Sequence, residues 1–394
     1  LLVLDLSVNI LSSSIPSDIF NLASLQSLGL SDTNLFGRIP SGLGKMSTLT
    51  SIRIGHTMVS GSIPTELGLL DQLSYLNLEA NYISGSIPSE VGLLTSLQYF
   101  NLNNNFLTGV LPTEIGSLST MAFFQAGHND LMGSLPSELG SLESLNVLNL
   151  GDNSFTGVIP IEIGSTSLFS LNLSYNQLSG NLPSELMGIK TLTLIGLHEN
   201  GLTGSIPSEL GLLTALKLFM VHYNDFTGTI PTEIGQLHVL DSLFLGNQIG
   251  GTLPSELGLC KSLSYLFLRN NSLSGTIPTE LGLLKSSMRT LWLDTNKLTG
   301  TIPSELGLNT SLSTLRLHSN SLSGSLPSEL GNMQKLMFLQ LHNNNITETM
   351  PHELCILSNE FVLDAITADC DEVSCPCCTE CCADEIGCVP TGNT

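Results

Sequence analysis

The sequence predicts an α/β solenoid of about 15 repeats of 24 residues, with a parallel sheet along one face. Three observations predict it. Fifteen prolines from Pro16 to Pro351 recur so that eleven of fourteen intervals are 24 residues, two are 23 and one is 25. Apolar residues stand 12 and 10 places before most of these prolines, alternating with polar neighbours. An Asn stands seven places before the proline in thirteen of the fifteen units, Thr33 and Thr57 being the exceptions.

Each element follows from the residue type at its place, counted from the proline as zero. The alternating pair at −12 and −10 is the period-2 pattern of a strand with one buried face. The Asn at −7 ends that strand, because its amide donates and accepts and so satisfies turning backbone groups between stacked copies. Gly at −3 allows positive φ or close backbone approach. Proline followed by Ser or Thr and then an acid starts a short helical turn, where the acid meets the positive end of the helix dipole. The unit around Pro278 shows the set: Leu266, Leu268, Asn271, Leu273, Gly275, Ile277, Thr279, Glu280, Leu281 and Gly282.

The resulting unit, LxxLxLxxNxLxGxIPxELGxLxx, resembles the plant-type extracellular leucine-rich repeat of receptor-kinase ectodomains and polygalacturonase-inhibiting proteins. The resemblance covers about residues 1–353. It implies a right-handed superhelix with the parallel sheet on its concave face and helical or irregular turns on its convex face. It also implies an extra strand at the Gly-x-Ile-Pro segment.

One elongated array over residues 1–353, followed by a Cys-rich capping segment over 354–394, fits this period better than several globules. Leu4 and Leu6 are already strand leucines, so the array is expected to lack its N-terminal cap. Net charge is −22, and fourteen of the 34 acids occupy the +2 position after the proline. The acidity is therefore a product of the repeat. A carboxylate ladder that gathers divalent cations is the alternative reading. Such a field argues against nucleic-acid partners. No apolar run approaches a membrane span of ~20 residues.

Cys260 replaces a core leucine (Leu70 and Leu213 in other units) and reads as a small buried hydrophobe. The other eight cysteines, Cys355, Cys370, Cys375, Cys377, Cys378, Cys381, Cys382 and Cys388, form an even set in a short polar tail. They read as disulfides stapling a cap over the open end of the last repeat. A thiolate metal cluster is the competing reading, although the tail after Cys355 carries no His. The pairs Cys377-Cys378 and Cys381-Cys382 resemble the C-terminal tails of diatom leucine-rich repeat proteins.

Strand side chains at −13, −11, −9 and −8 are expected on the open sheet face. The −11 column begins polar, with Asn77, Asn101, Gln125, Asn149 and Asn172, and after Gly196 becomes Met220, Phe244, Phe267, Trp292 and Arg316. The Phe244 unit is one residue short, which leaves its register open. Tyr265 and Arg269 share a strand with Phe267. Exposed aromatic and Arg side chains are the favoured anchors of interfaces. His198, His222, His318 and His342 fall at −9, with His56 and His128 at −8. Consecutive pairs would lie ~5 Å apart, but two ligands do not make a metal site. Asn172, Asn270, Asn309 and Asn345 carry N-glycosylation sequons.

The candidate ligand-binding residues are thus Met220, Phe244, Tyr265, Phe267, Arg269, Trp292, Arg316, His318 and His342. No nucleophile-base constellation, P-loop or dinucleotide fingerprint occurs, so no catalysis and no cofactor are expected. The expected function is an extracellular or cell-surface recognition module for a protein, peptide or glycan. The alternative is a structural surface protein that self-associates, with or without divalent cations.

Overall fold

The computed structural model describes residues 1–359, 363–369, 373–383 and 387–390. It divides into two compact units, Leu1–Gly201 and Leu202–Thr394. In the first, three-residue strands from Val3–Asp5 to Leu194–Gly196 pair in parallel. Each sits in register with its counterpart one repeat on, as in Tyr75 with Tyr99 and Asn77 with Asn101. In the second unit, strands from Leu218–Met220 to Phe338–Gln340 pair the same way.

The middle residue of each strand points into the coil. Leu76, Phe100, Phe124, Leu266, Leu291 and Leu315 are all buried completely. Each such side chain contributes roughly 1.5–3 kcal/mol of burial. The amide ladder closes the turn after the strand. Asn105 Nδ2 donates to Leu102 O and, one repeat back, to Leu78 O, while its Oδ1 accepts from Ile83 N. Where Thr replaces Asn, Thr33 Oγ1 donates to Leu30 O at 2.8 Å and supplies only the donor half.

Two glycine columns have different causes. The −3 glycines, such as Gly85 at φ 79°, occupy the left-handed region. The +4 glycines let adjacent coils touch: a Cβ on Gly68 would lie 2.4 Å from Glu90 O in the next repeat.

The turn after each of the first fourteen prolines is a 3₁₀ helix of about five residues, such as Thr65–Leu69 and Ser304–Leu308, and Pro351 is followed by an α-helix, His352–Asn359. The proline is the residue before it, extended at φ −70° and ψ 135° in the case of Pro64, rather than its first helical residue. The acid sits in the first turn, where the dipole argument places it. Its carboxylate accepts from the neighbouring hydroxyl, as Glu90 does from Ser89 at 3.3 Å. The second strand, where a repeat forms one, lies slightly earlier than expected. It runs into the −3 glycine, as in Tyr82–Gly85 and Lys297–Gly300, and so precedes the Ile-Pro pair.

The tail continues the second unit. Ala365–Asp369 pairs in parallel with the last repeat strand, Phe338–Gln340. Asp369 accepts from the backbone N–H groups of Asn343 and Asn344, taking the place of a further repeat. Disulfides join Cys355 to Cys377 and Cys375 to Cys378, and Cys381 and Cys382 are also disulfide-bonded. Cys370 lies outside the described residues, as does the side chain of Cys388. Cys260 is fully buried, donates to Ile234 O, and burial pushes its thiol up to about 12.

Candidate functional site

The strand face of the second unit gathers the aromatic column. Register aligns Met220 with Phe244, Phe244 with Phe267, Phe267 with Trp292 and Trp292 with Arg316. The short repeat therefore keeps its strand in register and loses its residue in the turn that follows. Phe244 and Phe267 stack with ring centroids 4.4 Å apart and planes 9° apart. Phe267 meets Trp292 edge to face at 4.4 Å. The Arg316 guanidinium lies 4.0 Å from the centre of the Trp292 ring, and that of Arg269 lies 5.8 Å from it. All five side chains are half-buried, each covering part of its neighbour. Aromatic pairs of this kind add ~0.5–1.5 kcal/mol beyond their area, and a cation over Trp adds a similar amount.

A cavity of about 510 Å³ opens on this ladder, lined by Phe244, Phe267, Trp292, Arg269, Tyr223 and His222 together with Gly246 and amide side chains. Tyr265 lies beside Phe267, its ring 6.4 Å away, and does not line the cavity. Met220 also stands outside it.

Next to the ladder runs a second column, in which His318 and His342 are joined by an acid. It reads Arg269, Asp294, His318 and His342, all nine places before a proline. Asp294 is buried at 4% exposure, and its Oδ2 lies 3.5 Å from His318 Nε2. His318 and His342 stack at 4.5 Å, and His342 Nδ1 lies 2.8 Å from Thr367 Oγ1 in the tail. A carboxylate this close favours the imidazolium. Burial and the positive neighbours His342, Arg316 and Arg269 outweigh it and hold His318 down to about 4. Burial also lowers His342 and raises Asp294. Among the described residues no three His, Cys, Asp or Glu groups are placed to hold a metal ion.

The first unit presents a different face. Its −11 amides turn back on their own chain. Asn77 Oδ1 accepts from Glu79 N, Asn101 Oδ1 from Asn103 N, and Asn172 donates to Asn149. Its aromatic stack lies in the −13 column, where Tyr75 and Tyr99 stand 4.3 Å apart and Phe123 continues the row. His56 lies 3.5 Å from Glu79, and His128 lies 2.6 Å from Asp152. His198 packs edge-on to Tyr175, and in the second unit His222 packs against Tyr223 and Phe244.

The four sequons divide by exposure. Asn270 and Asn345 are exposed, and Asn270 stands on the lip of the cavity. Asn172 is half-buried, and its Oδ1 accepts from Ser174 N and Oγ. Asn309 is a correction: it is fully buried, its Nδ2 donates to Leu281 O, and no glycan can reach it. It occupies the same core column as Cys260, six residues after the proline.

The Leucine Rich Repeat family model matches residues 24–46, 72–94, 96–118, 144–166, 167–189, 262–284, 287–309 and 311–333. No curated protein matches the chain. Among solved structures, the HAESA receptor-kinase ectodomain of Arabidopsis, in complex with an extended IDA peptide hormone, is 34% identical with a TM-score of 0.88. That match covers 94% of this chain and 62% of the ectodomain. A plant peptide hormone receptor, RGFR1 in complex with RGF2, is 30% identical with a TM-score of 0.83, over 94% of this chain and 62% of the receptor chain. The chain thus spans about 62% of the length of these receptors. A leucine-rich repeat protein of Leptospira interrogans is 34% identical with a TM-score of 0.73, over 95% of this chain and 90% of that one. The repeat, the stacked coils and these matches together make the chain a member of the leucine-rich repeat family, of the plant extracellular type.

Proposed function

We propose that this chain is a non-enzymatic, extracellular recognition module that binds a peptide along the strand face of its second unit. One observation carries the reading. Phe244, Phe267 and Trp292, with Arg269 and Arg316 against the Trp ring, stand at outward strand positions that a sheet does not need to fill with apolar residues. Rigid aromatic and Arg side chains around a concavity are the composition of binding hot spots. The similar receptor structures are complexes with peptide hormones, which supports a peptide over a glycan. Among the described residues no helix is long and apolar enough to cross a membrane. Residues 354–394 serve as the cap of the array, with the bonds from Asp369 closing the last turn.

The test is selection from a random peptide library displayed on phage, followed by measurement of each enriched peptide on the Trp292→Ala protein. The expected loss is at least tenfold, or ~1.4 kcal/mol. Enriched peptides that bind Trp292→Ala as tightly as the parent overturn the placement of the site. Dimerisation that depends on calcium would favour the self-associating alternative instead.

A further inference from the structure

The cavity on the strand face exists because one repeat is short. In fourteen of the fifteen repeats the residue eight places before the proline is left-handed, from Val8 (φ 58°) to Asn343 (φ 56°). The repeat ending at Pro254 has no such residue. Gly246 alone stands between Leu245 and Asn247, where its neighbours carry His222-Tyr223 and Arg269-Asn270. The missing backbone partners are replaced by amide side chains. Asn224 N donates to Asn247 Oδ1 at 2.9 Å, and Asn247 N donates to Asn271 Oδ1 at 3.1 Å. The repeat therefore stays closed, but two side chains are gone from its face.

The gap has the dimensions of a side-chain pocket. His222 and Tyr223 form one wall, Arg269 and Asn270 the other, and Gly246 the floor between them. These walls belong to repeats two strand spacings apart, ~10 Å. A planar ring in contact on both faces needs ~7 Å. Phe244, Phe267 and Trp292 line the base. The charge is also selective. In a chain of net charge −22, no carboxylate lines this cavity, and Arg269 is its fixed cation. At the exposed mouth Arg269 Nη2 donates to Tyr223 Oη at 3.4 Å, a long contact that an entering ring displaces. A guanidinium has five N–H donors, so most of its capacity remains for a ligand.

From this we infer that the one-residue deletion at Gly246 builds a pocket for an aromatic side chain with a carboxylate close beside it. This deepens the peptide-binding reading and rests on it for its biological setting. The ring enters between the Tyr223 and Asn270 walls, and the carboxylate meets Arg269. Trp292 is the only tryptophan and lines the base, so its emission reports occupancy.

The experiment titrates the full chain with N-acetyl-phenylalanine, with its neutral amide, and with N-acetyl-alanine, which has the carboxylate but no ring. Trp292 emission and ligand-observed saturation-transfer NMR are read in parallel. N-acetyl-phenylalanine is expected to saturate on the order of 1 mM. The amide should be about fivefold weaker, and N-acetyl-alanine should not saturate. Arg269→Gln should remove the difference between acid and amide while the ring still binds. Inserting one Asn between Leu245 and Gly246 restores the 24-residue spacing and should abolish binding without lowering Tm. If that insertion does not fold, Phe244→Ala serves in its place. Equal affinity for acid and amide, or undiminished binding by the refilled repeat, overturns the inference. If no probe binds while library peptides still depend on Trp292, the pocket fails and the recognition face stands. If the peptides ignore Trp292, the face fails as well.

Discussion

The same backbone carries two faces. In the first unit the −11 column opens with Asp5, Gly29 and Arg53, runs through Asn77, Asn101, Gln125, Asn149 and Asn172, and ends at Gly196; in the second it is Met220, Phe244, Phe267, Trp292 and Arg316. The core beneath them is alike: the middle residue of each strand is buried in both, and the turn amides make the same bonds. The asparagines of the first column satisfy themselves, because Asn77, Asn101, Asn149 and Asn172 each accept from a backbone N–H two residues on. The second leaves aromatic surface and two guanidinium groups toward solvent. A solenoid separates what makes it fold from what it presents, and the difference between these two columns lies in the presented part.

The shared scaffold gives the largest expected effect. Asn105→Ala in the first unit and Asn320→Ala in the second each strip a donor from three carbonyls and an acceptor from one N–H. Each should cost ~2–4 kcal/mol in denaturant unfolding. A much smaller cost at Asn320 would break the claim of a common frame. Binding should then separate the units. A selected peptide should lose ~2 kcal/mol on Trp292→Ala and stay within about twofold on Asn149→Ala, a surface site engaged with its own chain. Equal losses would mean that the polar face also binds.

A pH effect sharpens the contrast further. His318 is held at about 4 by burial, below its unfolded value of 6.5. The unfolded chain therefore binds the extra proton first. Stability from this group is complete above pH ~6.5, falls as pH drops toward 4, and is level below that. Asp294, raised by burial, runs the other way and recovers part of it at lower pH. His318→Gln should flatten the decline between pH 6.5 and 4, by ~2–3 °C in Tm across the window. The smallest effect is a null one in mass. Expressed through a eukaryotic secretory pathway, Asn309→Gln should leave the glycan mass unchanged, whereas Asn270→Gln and Asn345→Gln should each remove one glycan.

Much of this was legible in the sequence, and what was missed has physical causes. The proline period and the Leu-x-Leu alternation specify the coil, and the −11 column names Phe267 and Trp292 as neighbours before any coordinates. The short repeat was visible as a 23-residue step, but its consequence was not. Whether a deletion shifts a strand or empties a turn depends on the amide bonds of Asn247, which no periodicity encodes. Asp294 is not legible as a partner of His318 because its column mixes Arg, Asp and His and so shows no repeated residue type. The Tyr75 and Tyr99 stack lies at −13, beside the column that was read closely. Asn309 looked like a glycan acceptor, although its place six residues after Pro303, shared with Cys260, already put it in the core.

Hydrogen exchange of the chain with and without a library-selected peptide tests the central claim most directly. Added protection is expected in Tyr223–Asn224, Gly246–Gln248 and Arg269–Asn271, with the amides of Tyr75–Asn77 through Ser170–Asn172 unchanged. Protection confined to those first-unit strands, or spread evenly over both faces, would contradict it.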